Sequence, residues 1–293
     1  MEPLRIGPHF TTREALLHGV SRSRLRRGDL TRPHHGVRAI GPAQDLVERC
    51  RAFQPAMTEG MLFSHITAAR LHGLPLGREA DPDEPLHVST RAPGRAPRHR
   101  GIHGHQTRIA DDATTTLHGL PVVSAVETWC QLASMLAEDD LVVCGDALVR
   151  RKEPIATMEQ LAAAVASSPR RPGVRPLRCA LARVRARTDS PMETVLRLAL
   201  VRAGLPEPAV NYRIVGPDGD LVAHGDLAYP AAHVVVEYDG DQHRTDTHQY
   251  YIDVDRLWLI RTMGWEVVRV NRTHMANDAR EAVRRVRLAL ALS

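Results

Sequence analysis

The sequence contains few aromatic residues and almost no lysine. Only 4% of the 293 residues are Phe, Trp or Tyr, so the core must consist mainly of Leu, Val, Ala and Ile. Lys152 is the single lysine among 39 basic residues, which excludes lysine chemistry far from this position. No apolar run approaches the roughly 18–20 residues that a membrane span needs, and the N-terminus lacks the basic and then apolar layout of a signal peptide. These absences predict a cytoplasmic protein with no membrane partner.

Cysteine motifs are also missing. The sequence has four widely spaced cysteines: Cys50, Cys130, Cys144 and Cys179. Because there is no C-x-x-C pair, they predict neither a zinc ribbon nor a redox motif. Each cysteine lies among apolar residues, so we expect four small, buried hydrophobic side chains.

The charge is unevenly distributed along a chain of otherwise ordinary composition. With 43% hydrophobic and 25% charged residues the chain is typical of a globular protein. Its length suggests about two domains. The net charge is +5, but residues 1–40 carry eight arginines against three acidic residues, and residues 188–293 carry 12 basic against 15 acidic residues. The N-terminal end therefore favours phosphate binding, and the C-terminal end favours cations.

Residues 1–44 have the outline of a winged helix-turn-helix domain. Thr11 and Glu14 form a capping box that opens a first helix, and Ser21 can cap a second helix that ends at Gly28. The segment 30–40 has turn residues between two strand-like ends, as a wing does. In such a domain the second helix enters the major groove of DNA. The candidate DNA-binding residues on this helix and wing are Arg22, Arg24, Arg26, Arg27 and Arg38. A solvated basic helical hairpin is the alternative, and the local excess of arginine favours DNA binding.

Residues 45–187 are predicted to form a mixed α/β region. The helical patterns span 45–56, 64–72, 124–137, 138–149, 158–167 and 175–187, and the strand candidates span 86–89 and 101–107. No catalytic spacing is present. His103 and His105 can face one side of a strand, but two ligands do not make a zinc site, so we expect exposed strand histidines.

Residues 188–293 are predicted to form a domain with the element order αβββαβα. A helix begins after Ser190, with a proline in its first turn, and runs to Ala203. The three strands, the second helix, the fourth strand and the closing helix follow at 209–215, 221–228, 233–239, 246–263, 265–270 and 274–290. We expect Trp258 and Trp265 to lie in the core.

Acidic side chains of this domain are predicted to converge. Two adjacent strands deliver Asp226 and Glu237 to one place, Asp239 faces the same side as Glu237, and Glu193 can reach them from the preceding helix. Such carboxylates repel one another unless a cation neutralises them, and hard oxygen ligands suit Mg²⁺ or Mn²⁺. A metal held in this way can activate water and stabilise a phosphoryl transition state. Ion pairs with Arg256 or Arg269 can explain part of the cluster without a metal.

Two resemblances follow from these motifs. The motifs of the C-terminal domain are Glu193, Asp226, Glu237-Tyr-Asp239-Gly240-x-x-His243, Asp255-Arg256 and Met263-Gly-Trp-Glu-Val-Val-Arg269-Val. Through these motifs, residues 188–292 resemble a domain-of-unknown-function family akin to very-short-patch-repair endonucleases. That family has the PD-(D/E)XK nuclease fold. The N-terminal half resembles AbiEi-type antitoxin proteins, which start with a winged helix, through Phe10–Ile40, Ser64-His-x-x-Ala-Ala-Arg-Leu-His-Gly and Gly119-Leu-Pro-Val.

The first resemblance implies roles for individual residues. Asp226 and Glu237 would ligate the metal with support from Glu193, and Tyr238 would offer its backbone carbonyl. The superfamily usually has a lysine at the position of Asp239; the short-patch-repair enzymes do without it and use a nearby histidine. This points to His243 as the general base or water-orienting group, with Gln242 as the alternative. His243 can instead cap the next loop and hold Asp239.

The predicted class is therefore α/β (mixed α+β), with a winged helix at 1–44, an α/β region at 45–187 and a nuclease-like domain at 188–293. The first functional hypothesis is a Mg²⁺- or Mn²⁺-dependent DNA endonuclease, in which Arg256 contacts the scissile phosphate or only braces the site by pairing with Asp226 or Asp253. The second is a DNA-binding regulator or antitoxin-like protein whose nuclease domain is degenerate, because fold does not guarantee function. A cation-binding interaction protein without a nucleic-acid role is a remote third. A homodimer is compatible with the sequence.

Overall fold

The structure is a computed structural model that describes residues 6–77, 81, 83–167, 169–240 and 256–292. It is a mixed α/β protein, as predicted, and divides into two compact units. Unit 1 comprises Met1–Leu136 and Ala163–Val174, and unit 2 comprises Ala137–Ala162 and Arg175–Ser293. Two helices, α6 (Met158–Ser167) and α7 (Val174–Arg183), contribute residues to both units. No helix among the described residues combines the length and the apolar character needed to cross a bilayer.

Unit 1 begins with a three-stranded antiparallel sheet in the order β1-β3-β2 and one short helix. These elements are β1 (His9–Thr11), α1 (Thr12–Leu17), β2 (Leu30–Thr31) and β3 (Val37–Ile40). The predicted capping box is present, because the Thr11 hydroxyl accepts from the Glu14 amide at 3.0 Å and the Glu14 carboxylate accepts from the Thr11 amide at 3.4 Å. Strands β2 and β3 pair, as expected for the wing strands.

The predicted second helix of this region is wrong in extent. Between Ser21 and Gly28 the chain forms only a single 3-10 turn, Arg24–Arg26. Leu25 supplies the one buried side chain of the segment, so there is no apolar stripe to stabilise a longer helix, and short helices are marginal without one. The Ser21 hydroxyl accepts from the Arg24 amide, and the segment then turns directly into β2.

A five-stranded sheet in the order β6-β5-β4-β8-β7 forms the rest of unit 1. Its elements are α2 (Leu46–Phe53), β4 (Met61–Phe63), α3 (His65–Leu71), β5 (Leu86–Arg91), β6 (Ile102–Thr107), β7 (Thr114–Leu117), β8 (Leu120–Val123) and α4 (Ala125–Leu132). The sequence predicted the helices and the two six-residue strands. Strands β4, β7 and β8 escaped prediction because three or four residues are too few to show an alternating pattern.

Unit 2 contains a four-stranded sheet in the order β12-β11-β10-β9, in which only β11 and β12 are parallel. Its elements are α5 (Glu138–Leu148), α8 (Pro191–Arg202), β9 (Ala209–Val215), β10 (Leu221–Tyr229), β11 (Val234–Asp239), α9 (helical residues 256–262), β12 (Glu266–Asn271) and α10 (Ala276–Ala291). Among the described residues the elements from α8 to α10 follow one another as helix, three strands, helix, strand and helix. The predicted helical residues 246–255 lie outside the described residues.

Apolar layers cover both faces of the unit 2 sheet. Val234 and Val236 of β11 lie in the core that α8 and α10 cover, whereas Val235 packs with Leu257 and Ile260 of α9. Because strand side chains alternate between faces, Glu237, two residues after Val235, is expected on the α9 side. Glu237, near the end of β11, accordingly contacts Arg256 of α9.

Two predicted core residues are exposed instead. Cys179 is exposed, and the Trp258 side chain is 63% exposed because it lies on the outer surface of α9, whereas Trp265 packs partly buried against the core. The other three cysteines are buried, and burial raises the pKa of each thiol to about 12. These three behave as the small hydrophobic residues that the sequence predicted.

Candidate active site

The first residue of the candidate site, Glu193, is held at the N-terminus of α8. Ser190 caps this helix and accepts from the Glu193 amide at 3.3 Å, and Pro191 occupies the first turn. The Glu193 carboxylate in turn accepts from the Asp189 amide at 2.9 Å. The side chain is buried, and desolvation raises its pKa, with Asp189 and Glu237 adding repulsion. The capping geometry therefore fixes a carboxyl group that burial keeps from ionising easily.

Asp226 and Glu237 lie on the neighbouring strands β10 and β11. The Asp226 Oδ2 atom accepts from the Tyr238 amide at 2.8 Å, which ties the two strand ends together. Burial first, and then repulsion from Glu237 and Glu193, raise the pKa of Asp226 well above its ordinary value. Three carboxyl groups that were predicted to converge therefore interact electrostatically.

Glu237 has one bound and one unpartnered oxygen. Its Oε2 atom accepts from Arg256 at 2.6 Å, and Arg256 also donates to the His224 carbonyl at 2.9 Å. The side chain of Glu237 is buried, and its Oε1 atom has no hydrogen-bond partner among the described residues. A buried acceptor without a partner costs about 1–3 kcal/mol. Arg256 thus braces Glu237, which is not one of the two acidic partners, Asp226 and Asp253, that the sequence suggested for it.

Asp239 takes part in an ion pair of its own. Its carboxylate accepts from Arg269 of β12 at 2.7 Å. Strands β11 and β12 are parallel neighbours in which Glu237 pairs with Arg269 and Asp239 with Asn271, so Arg269 is within reach of Asp239. Asp239 therefore lines the site with its charge already balanced. His243, the predicted general base, lies outside the described residues, as do Gln242 and Asp253.

A cavity of about 920 Å³ joins these residues and adds a basic rim. The basic side chains that line it are Arg151, Lys152, Arg256 and Arg269. Arg151 forms an ion pair with Asp189, which also accepts from Asn211 at 3.2 Å. Sequence reasoning missed Arg151, Lys152, Asp189 and Asn211 as site residues, because the first two follow α5 and reach the sheet only through the tertiary fold.

The donor atoms fit a hard divalent cation in part. Mg²⁺ is usually held by one or two carboxylates and several waters. Glu237, whose Oε1 atom has no partner among the described residues, and Asp226 on the neighbouring strand offer carboxylates of this kind. Glu193 does not complete a three-ligand metal site with them. Among the described residues, only one group of three possible metal ligands lies within 4.8 Å of one another, and that group consists of histidines. Asp226 and Glu237 are therefore the residues that could hold Mg²⁺ or Mn²⁺.

The predicted DNA-binding arginines of unit 1 fall into two groups. Arg22, Arg26 and Arg27 are exposed around the 3-10 turn. Arg24 and Arg38 are partly buried and stabilise the local fold. Arg24 donates to both carboxylate oxygens of Asp29, at 2.9 and 2.8 Å. Arg38 donates to backbone carbonyls, including that of Leu25. The first group remains available to phosphates, and the second group stabilises the hairpin.

Comparison with known proteins finds similarity along most of the chain. Two Mycobacterium tuberculosis proteins, Uncharacterized protein MT2308 (strain CDC 1551 / Oshkosh) and Uncharacterized protein Rv2248 (strain ATCC 25618 / H37Rv), are each 26% identical to this chain over 251 residues. The match covers 83% of this chain and 86% of each relative. No family model and no solved structure matches the chain. A match of this length includes parts of both units, so the chain is similar to these mycobacterial proteins in unit 1 as well as in unit 2.

Proposed function

We propose that this protein is a cytoplasmic, metal-dependent DNA endonuclease of the very-short-patch-repair-like type, with a PD-(D/E)XK-like domain in unit 2. One observation carries the proposal: the buried Oε1 atom of Glu237 has no hydrogen-bond partner among the described residues, and Asp226 on the neighbouring strand has a pKa raised well above its ordinary value by burial and by its acidic neighbours. Both features are costly for the folded chain, and a bound divalent cation would compensate for both.

Each residue of the site has a physical role in phosphodiester hydrolysis. A divalent cation, when bound, would supply activated water and charge stabilisation at the phosphate. Asp226 and Glu237 hold that cation, and Arg256 fixes Glu237 by its 2.6 Å hydrogen bond. The cationic side chains of Arg151 and Lys152 on the cavity rim attract the negatively charged backbone of the substrate.

DNA binding in this proposal also involves unit 1. The exposed guanidinium groups of Arg22, Arg26 and Arg27 can contact phosphates without breaking any hydrogen bond that holds the hairpin. Such contacts depend strongly on salt, since each neutralised phosphate releases a counterion. We therefore expect DNA affinity to fall steeply as the salt concentration rises.

Cleavage of supercoiled plasmid and of a mismatched duplex tests the endonuclease. With Mg²⁺ or Mn²⁺ the wild-type protein should nick or cut the DNA, and Glu237→Gln should reduce the rate on the order of 10²-fold or more, since the metal loses a ligand. Glu266→Gln, which changes an exposed glutamate at the start of β12, is the matched control and should cleave normally. Equal cleavage by wild type and Glu237→Gln would rule out the proposed site.

A second function, a DNA-binding regulator without nuclease activity, is favoured by the ion pairs. Arg256 and Arg269 neutralise Glu237 and Asp239 without a metal. This function predicts sequence-specific duplex binding and no cleavage with any metal. Arg26→Ala should then weaken binding and reduce the salt slope by about 1, while Arg280→Ala on α10 should not. Binding that is indifferent to DNA sequence would count against the regulator.

A further inference from the structure

Unit 1 brings histidines from three segments to one place. His65 begins α3 directly after β4, His87 lies on β5, and His105 lies on β6. Strands β5 and β6 are parallel neighbours in which Ser89 pairs with His105, two residues beyond His87. The possible ligand atoms of the three histidines all lie within 4.8 Å of one another. We call this group the histidine cluster.

The ring nitrogens of the cluster converge. The Nδ1 atom of His87 and the Nε2 atom of His105 are 3.0 Å apart, and the rings of His65 and His105 stack with centroids 3.7 Å apart. In a tetrahedral zinc site with Zn–N bonds of 2.0–2.1 Å, ligand nitrogens are about 3.3 Å apart. The His87–His105 separation is close to that distance, and the ligand atom of His65 lies within 4.8 Å of both.

Buried hydroxyl groups orient His65. The Ser64 hydroxyl lies 3.0 Å from Nδ1 of His65 and accepts from the Ser89 hydroxyl at 2.8 Å, and both serines are fully buried. When Nδ1–H donates to the Ser64 oxygen, the Nε2 lone pair is left for a metal. Metal-bound histidines typically have such a partner on the other ring nitrogen.

The backbone conformation of His65 is also typical of a functional residue. His65 has φ of 49°, a left-handed conformation that is uncommon outside glycine and persists only where the surroundings hold it, often at functional sites. Burial, followed by repulsion from neighbouring histidines, lowers the pKa of His65 to about 3 and that of His105 to about 4.

We propose that His65, His87 and His105 bind a transition-metal ion that prefers imidazole ligands, Zn²⁺ foremost, with one coordination position left open. His65 and His105 border a cavity of about 690 Å³. The same cavity is lined by Gln131, whose buried Nε2 atom has no partner among the described residues. Three histidines with one open position are the ligand set of zinc sites that bind an exchangeable water or anion.

The histidine cluster and the carboxylate site are independent proposals. The two sites lie in different units, and their ligands differ: imidazole suits zinc, whereas carboxylates suit Mg²⁺ and Mn²⁺. A measurement of Zn²⁺ or Co²⁺ affinity therefore tests the cluster whether or not the protein cleaves DNA.

Titration of the full-length chain with Zn²⁺ by calorimetry, and with Co²⁺ by visible absorption, tests the cluster. The wild-type protein should bind one equivalent, with the intense d–d absorption of tetrahedral Co²⁺. His105→Gln and His65→Gln should each weaken binding by more than about 100-fold. Two controls should bind as the wild type does: His103→Gln, which changes an exposed ring that stacks on His105, and Glu266→Gln, which changes an exposed residue of the other unit.

Several results would overturn the proposal. They are a wild-type protein that binds no Zn²⁺, a weak octahedral Co²⁺ spectrum, His105→Gln binding equal to that of wild type, and an equal loss in His103→Gln. Circular dichroism and thermal melts of each variant separate loss of ligand from loss of fold. If both ligand variants unfold, the stoichiometry and the Co²⁺ spectrum of the wild-type protein decide the question alone.

Discussion

The carboxylate site of unit 2 and the histidine cluster of unit 1 respond to burial in opposite directions. Desolvation disfavours the charged form of any group, so it raises the pKa of Asp226 and Glu193 and lowers the pKa of His65 and His105. In both places the folded chain favours the neutral form. The same physical cause therefore makes the acids harder to ionise in one unit and the histidines harder to protonate in the other.

This difference determines what a metal must displace. At the histidine cluster the neutral rings already offer lone pairs near neutral pH, so binding releases few protons. At the carboxylate site a cation must compete with the protons that the raised pKa values retain. Metal affinity should thus depend on pH near neutrality more steeply at the carboxylates than at the histidines.

The largest expected effect comes from Asp226→Asn. Cleavage should fall on the order of 10²-fold or more, as for Glu237→Gln, because the cation loses a ligand. The asparagine oxygen can still accept from the Tyr238 amide, so the strand ends should stay joined. Because the ionised aspartate is disfavoured in the fold, the variant should melt at a higher temperature than wild type at pH 8 without metal.

The matched control for that prediction is Asp218→Asn in the exposed turn between β9 and β10. It should leave cleavage and melting unchanged. The stability gain of Asp226→Asn should shrink as the pH falls toward about 4, where the unfolded aspartate also becomes protonated. A variant less stable than wild type at pH 8 would contradict the unfavourable ionisation of Asp226.

The next largest effect is expected for Ser64→Ala. This change removes the hydroxyl beside Nδ1 of His65 and leaves the three ligands in place. Zinc affinity should fall about 10–100-fold, as is typical when the partner of a metal-bound histidine is lost. Ser124→Ala, which removes the N-cap of α4, is the control and should bind zinc as wild type does. Calorimetry measures both, and equal affinities would mean that Ser64 does not orient the ring.

The two sites also differ in how far the sequence predicted them. The carboxylates were predicted because Glu237 ends an apolar strand and Asp226 lies on the strand before it, so a local pattern implied their meeting. The histidines were missed because positions 65, 87 and 105 come from a helix start and two strands. Only His103 and His105 gave a signal, and of these His103 is the exposed one.

The fold shows the same division between local and non-local information. The sequence predicted elements that have a helix cap or a strand-length alternation of apolar and polar residues. Examples are α1, with its capping box, and β9, whose bounds agree with the prediction. The segment 21–28 was predicted as a helix from its cap and its composition, but Leu25 alone cannot anchor one. The rim of the carboxylate site, including Lys152, depends on tertiary packing that no local pattern reports.

A smaller effect, on stability, should have opposite signs in the two units. The unfolded histidines take up protons near pH 6.5, but His65 and His105 resist protonation until about pH 3 and 4. Each extra proton bound on unfolding costs about 1.4 kcal/mol per pH unit, so unit 1 should lose stability as the pH falls from 7 to 5. The raised pKa values of Asp226 and Glu193 have the opposite effect, so unit 2 should gain stability as the pH falls toward the ordinary pKa of a carboxyl group.

Hydrogen exchange resolved by peptides measures this contrast. Between pH 7 and pH 5, after correction for intrinsic exchange rates, protection should fall in β5 and β6 and hold or rise in β10 and β11. His105→Gln should reduce the loss of protection that unit 1 shows between pH 7 and pH 5. His18→Gln, at an exposed position in the same unit, should leave that loss unchanged. A parallel loss of protection in both units would show that the two clusters do not titrate oppositely.

The smallest expected effect concerns Lys152, the single lysine of the chain. It lines the carboxylate cavity from the segment after α5. If Lys152 contacts a phosphate, Lys152→Ala should weaken DNA binding a few-fold and reduce the salt slope by about 1. Arg150→Ala is the matched control, because Arg150 donates to the Glu153 carbonyl and borders a different cavity. A fall in the cleavage rate at saturating DNA, with binding unchanged, would instead mean that Lys152 acts at the reacting phosphate.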